Sequence, residues 1–172
     1  MSDLFSKIQE GRNFLEELAG KIPSFSGYQE RSNRREADKL LREAITERYE
    51  TQWARVNQLQ RELIEQGGIE HLDRLDSAAI KLRTFIDRVK TASYGYSGFF
   101  DAVKVNEKEL AALYEYDQNL LDGATGIAAA VDNVESSMGT DGLAASIRHL
   151  IELAREANEN FDKRGEVLTG IA

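Results

Sequence analysis

The chain has no cysteine, a single proline and a single tryptophan. The missing cysteine removes disulfides, thiolate zinc sites and cysteine nucleophiles together, and it fits a reducing compartment. With Pro23 as the only proline, long stretches run free of the residue most damaging to a helix interior. No apolar run approaches the about 20 residues that span a bilayer, and no signal peptide is visible, so the expected location is the cytoplasm. Phosphate-binding and dinucleotide glycine fingerprints are also missing. Gly95-Tyr96-Ser97-Gly98 approaches a nucleophile elbow but has neither the glycine spacing nor a strand–turn–helix context.

What is present is helical. The 172 residues suit one domain, and hydrophobic residues at 41% with charged residues at 30% describe a charge-rich folded protein. Net charge is −8, and its placement is uneven. Residues 1–105 hold 17 acidic and 17 basic side chains, whereas residues 106–172 hold 13 acidic against 5 basic, which accounts for the whole imbalance. Such a surface repels nucleic acid and anionic lipid, so no nucleic-acid partner is expected.

The organising stretch is Gly67 to Val89. After Gly67 and Gly68, apolar residues recur at Leu72, Leu75, Ala79, Leu82, Ile86 and Val89, the alternating three and four steps of a heptad seam. The glycines stop a preceding helix, expected from about Gln29 to Gln66. Its stripe is Ala37, Leu41, Ile45, Tyr49, Val56, Leu59 and Leu63, with Trp53 alongside. Residues 29–92 therefore read as one antiparallel hairpin. A Gly- and aromatic-rich connector, 93–105, follows, and then a second, acidic hairpin over 106–172 with Asn106 as a candidate cap and Gly139-Thr140-Asp141-Gly142 as its turn. The seam of 107–138 runs through Leu110, Leu113, Asp117, Leu120, Ala124, Ile127, Val131, Val134 and Met138, with Gly123 and Gly126 as points of close approach, kink or break. The last helix, about 141–168, carries Leu143, Ile147, Leu150, Ala154, Ala157, Phe161 and Leu168.

Residues 1–22 form an N-terminal amphipathic segment with Leu4, Ile8, Leu15, Leu18 and Ile22 on one side. Its charged residues sum to −1, whereas a helix lying on a membrane favours a basic polar face. Docking on the protein's own core is the expectation, and a membrane surface is the disfavoured alternative. The predicted architecture is all-α: an elongated antiparallel bundle of four long helices plus the N-terminal helix, with coiled-coil-like heptad packing in a single domain, 1–172.

Candidate chemistry is thin. A carboxylate-bridged di-iron site needs Glu-x-x-His motifs, and the residues three before His71 and His149 are Gly68 and Ser146. No metal, cofactor, small-molecule ligand or catalytic residue is inferred. One constellation remains. In an up-down-up-down bundle the 23–28 loop and the 93–105 connector share an end, which gathers Phe25, Tyr28, Tyr94, Tyr96, Phe99 and Phe100 near Arg31, Arg34 and Arg35. Aromatics with arginine dominate binding hot spots, although a plug for the open end of the core explains most of the same pattern without a partner. The function expected is a non-enzymatic interaction or scaffolding protein, binding a protein partner or itself. A peripheral membrane-remodelling protein using residues 1–22 stands second, and a ligand-binding bundle or enzyme with a pocket at the aromatic end stands third.

Overall fold

The computed structural model describes residues 34–92 and 107–169, with side chains described from Leu41 to Ala92 and, Tyr116 apart, from Gln118 to Lys163. These residues form four long helices and no strand: α1 (Arg34–Glu65), α2 (Leu72–Thr91), α3 (Glu107–Ser137) and α4 (Leu143–Thr169), with a single 3-10 turn at Ile69–His71. Residues 1–33, including the N-terminal amphipathic segment and the expected start of the first helix at Gln29, lie outside the described residues, as do 93–106.

Among the described side chains most of each predicted stripe is buried, while Leu72, Met138 and Phe161 are only partly so. Leu41, Ile45, Tyr49, Val56, Leu59 and Leu63 of α1 face Leu75, Ala79, Leu82, Ile86 and Val89 of α2. The second hairpin contributes Leu120, Ala124, Ile127, Val131 and Val134 from α3 and Leu143, Ile147, Leu150, Ala154 and Ala157 from α4. Ala78 and Phe85 of α2, and Leu121 and Ala130 of α3, are buried as well. The heptad seam misses them because every helix here packs on two neighbours, and a helix so placed buries a wider arc than a two-stranded seam.

The turn between α1 and α2 closes by backbone chemistry. Gly67 takes φ +78, and Gly68 N–H donates to the Leu63 carbonyl while Gly67 N–H donates to that of Ile64. This pair of bonds is the Schellman motif, which satisfies helix-end carbonyls and needs a residue with positive φ. A Cβ on Gly67 would meet no atom within 4 Å, so Gly67→Ala tests the backbone alone. We expect it to cost about 1 kcal/mol, read as a lower urea midpoint at unchanged slope. In the other turn Gly139 takes φ +73, and the Thr140 hydroxyl accepts from Gly142 N–H ahead of α4.

Within each hairpin the helices are antiparallel. Between hairpins they are parallel. Residues 49 and 55 of α1 meet 120 and 132 of α3, and residues 81 and 88 of α2 meet 158 and 162 of α4. The helices follow one another around the bundle as α1, α2, α4, α3, so α2 and α3 stand on opposite corners. Both hairpin turns lie at one end. Arg34, Thr91, Glu107 and Thr169 all lie at the other. The up-down-up-down alternation holds, but the second hairpin sits with α3, not α4, beside α1.

Candidate functional site

The predicted aromatic site falls largely outside the described residues. Phe25, Tyr28, Arg31, Tyr94, Tyr96, Phe99 and Phe100 are among those not described, and Arg34 and Arg35 open α1 with only their helical backbone described. Asp117, the acidic interruption of the α3 seam, has no described side chain either. The structure does settle the two helix ends between which residues 93–106 run, and the start of α1, at one end of the bundle.

The middle of the described interior is built around Tyr49. Its ring packs on Phe85 at 4.3 Å between centroids, and Phe85 meets Phe161 edge-on at 6.1 Å, linking α1, α2 and α4. The Tyr49 hydroxyl donates to the Leu120 carbonyl at 3.1 Å, reaching α3 as well. It fits because Gly123 is opposite: a Cβ there would stand 2.8 Å from the phenolic oxygen. Gly126 differs, since a Cβ on it would make an ordinary contact with Leu153 at 4.0 Å. The α3 helix runs unbroken through both glycines. Burial pushes the Tyr49 pKa well above the usual phenol range. The folded state therefore keeps a proton that the unfolded chain releases. The stability this provides is complete below about pH 10 and declines as pH rises beyond it.

Ionic contacts join the two hairpins with complementary sign. Arg55 of α1 donates to Asp132 at 2.6 Å and Glu135 at 2.9 Å on α3, and the Asp132 hydrogen bond leads in holding its guanidinium pKa up. Arg88 of α2 pairs with Asp162 of α4, lies 5.1 Å over the Phe161 ring and donates to Asn158 at 3.3 Å. Asn158 in turn donates to the Lys81 carbonyl at 3.0 Å. Three of the acids behind the net charge are thus structural partners of first-hairpin arginines. On the outer face of α4, Arg155 pairs with Glu152 and Glu159.

A different surface lies along the outside of the α1/α2 seam. Its cross-helix contacts are Glu50 with Lys90, Gln60 with Asp76 at 3.2 Å, and Arg83 over the Trp53 ring at 5.2 Å. At its end nearest the chain exits is an open groove of about 460 Å³ lined by Arg42, Glu43, Thr46, Glu47, Glu50, Val89 and Lys90. Ile64, Ile69 and Ile80, the exposed large hydrophobics among the described residues, also belong to this hairpin, at 53%, 63% and 58% exposure. Sequence reading passed over them because each is off the core stripe, and off-stripe apolar residues are ordinary taken singly. Their coincidence on one hairpin is visible only once the seam is known.

Among the described residues no three His, Cys, Asp or Glu side chains gather in a metal-binding group. His149 is exposed, and His71 is partly buried with Nε2 3.8 Å from Glu70. No helix among the described residues is long and apolar enough to cross a membrane. No family model, curated protein or solved structure matches this chain.

Proposed function

We propose that this chain is a non-enzymatic interaction protein, working in the cytoplasm, which binds a protein partner through the open end of its bundle and associates with itself. One observation carries the reading. Arg34, Thr91 and Glu107 sit at the same end, so the two segments bearing Phe25, Tyr28, Tyr94, Tyr96, Phe99 and Phe100 are tethered to one end of the bundle. Tyr94 and Tyr96 follow Ala92 by two and four residues, and a chain advances at most about 3.6 Å per residue. Binding residues concentrate in connecting segments held by a rigid scaffold. Residues 1–22 complete the proposal as a helix docked on the bundle, and the heptad-spaced stripes as knobs-into-holes packing along its length.

The partner test measures two quantities on Tyr94→Ala, Tyr96→Ala and Phe99→Ala: melting temperature, and retention of bound proteins by the immobilised full chain. Truncating a hot-spot ring costs about 2 kcal/mol or more, roughly a thirtyfold loss of affinity. We expect partners to be lost at unchanged stability. Lower stability with partners retained would reduce the rings to a plug of the core.

Residues 1–22 have their own test. The full chain is expected to stay in the supernatant with neutral or anionic liposomes at physiological salt. Sedimentation with them that disappears on deleting 1–22 would favour a membrane-surface role instead.

A further inference from the structure

We propose that the outer face of the α1/α2 hairpin is the surface on which a second copy of this chain docks. The inference rests on the reading of the chain as self-associating and assigns that property to one face. Along α1 the residues on this side of the seam are Thr46, Glu50, Trp53, Asn57, Gln60 and Ile64, in steps of three and four. Along α2 they are Asp76, Ile80, Arg83, Asp87 and Lys90, in the same steps. The contacts Glu50–Lys90, Trp53–Arg83 and Gln60–Asp76 fix the two rows side by side. Ile80 and Ile64 stand within these rows, so these two exposed isoleucines and the partly buried Trp53 share a face, and Ile69 is exposed in the turn at its end. Aromatic and large aliphatic side chains in a polar rim are the make-up of an interface centre.

Charge identifies the occupant. A two-fold contact sets a surface against itself, so any net charge on it is opposed by the same charge. Residues 34–92 carry twelve basic and eleven acidic side chains, a net of +1. On the face itself Lys90 pairs with Glu50 and Arg83 with Asp87 at 3.1 Å, which leaves Asp76, bonded to the neutral Gln60, as a net charge of −1. Residues 107–169 carry five basic against thirteen acidic side chains, a net of −8, and a two-fold contact through the second hairpin would oppose like charges. The nearly neutral face, with its exposed isoleucines, opposes a copy of itself far less than the acidic hairpin would.

The size of the face sets the strength. From Thr46 to Ile64 the helix rises about 27 Å, and two helices about 10 Å apart with their side chains make a face about 20 Å across. That is on the order of 500 Å² per protomer, below the about 800 Å² per partner of a standard interface, so the contact is a weak, reversible one.

Sedimentation equilibrium of the full chain from about 5 to about 500 μM tests this. Trp53, the only tryptophan, provides an independent readout on the face itself. We expect dimer at the upper concentrations, with Trp53 emission shifted to the blue and less quenched by acrylamide as dimer forms. Ile64→Glu combined with Ile80→Glu should weaken association about tenfold or more. Because both side chains are exposed, the melting temperature of the monomer should stay unchanged. A dimer that persists in the double variant, or forms with no change in Trp53 quenching, overturns this face while leaving self-association standing. A wild-type monomer at every concentration overturns self-association itself. Neither result bears on the open-end site, which the Tyr94 series reads separately. Should the double variant fail to fold, Trp53 quenching in the wild-type chain decides the matter alone.

Discussion

Leu82→Asp is expected to abolish the folded bundle at neutral pH. Leu82 is fully buried in the middle of α2, among the side chains that form the common core. Removing the leucine forfeits about 1.5–3 kcal/mol of burial. An unpaired carboxylate in its place adds a desolvation cost of several kcal/mol. The sum rivals the about 5–15 kcal/mol that holds a typical domain together. Part of the cost is avoidable by protonation, which gives the prediction a sign. Burial raises the introduced carboxyl's pKa in the folded state, so the folded state holds a proton that the unfolded chain releases above about pH 4. Helix content should therefore be highest near or below that pH and fall as pH rises, measured by circular dichroism. Leu82→Ala, at about 2–5 kcal/mol, should weaken the fold without this pH dependence. A Leu82→Asp protein that melts within a degree or two of wild type at pH 7 would mean that α2 does not pack as described.

Gly123 and Gly126 are expected to respond to alanine with opposite signs. In an ordinary helix interior, Gly→Ala gains roughly 1 kcal/mol. Gly126 has room for it, and Gly126→Ala should raise the urea midpoint. At Gly123 the new methyl would stand 2.8 Å from the Tyr49 oxygen, which is packed flush in the core and bonded to the Leu120 carbonyl. Overpacking a fixed group costs about 1–3 kcal/mol, so Gly123→Ala should destabilise by about 1–2 kcal/mol net of its helical gain. Tyr49→Phe alone loses one hydrogen bond, about 0.5–1.5 kcal/mol. In that background Gly123→Ala should become neutral or stabilising. A double-mutant cycle on Tyr49 and Gly123 isolates the coupling, and additive effects would show that the phenol and the glycine do not meet.

The periodicity of α2 was readable because its stripe is local: Leu75, Ala79, Leu82, Ile86 and Val89 declare themselves within one helix. Phe85 did not, because its burial depends on α4 lying against α2, and no spacing within residues 72–91 encodes a second neighbour. The Tyr49–Gly123 fit is of the same kind. A glycine in a helix reads as weakness until the hydroxyl 74 positions away is seen to fill the space. The lateral order, α3 beside α1, was also invisible, since heptad stripes state that helices pack but not which way the second hairpin is laid. Arg55 and Arg88 meeting Asp132, Glu135 and Asp162 provide that information only after folding. For the aromatic site, the helix ends make tethering at one end legible, while the rings themselves lie outside the described residues.

The arrangement of the ends has a mechanical consequence. The start of α1 and the finish of α4 lie at the same end of the bundle, on opposite corners. Tension entering through residues on either side of this pair draws those helices apart sideways, so contacts yield one layer at a time from the open end. In a bundle whose termini leave from opposite ends, the same pull would load every layer together in shear. The hairpin turns, at the far end, would be the last to feel it. A pull applied through the start of α1 and the finish of α4 would therefore peel the bundle, meeting the layers of Leu41, Ile45 and Val89 before the Tyr49–Phe85–Phe161 rings.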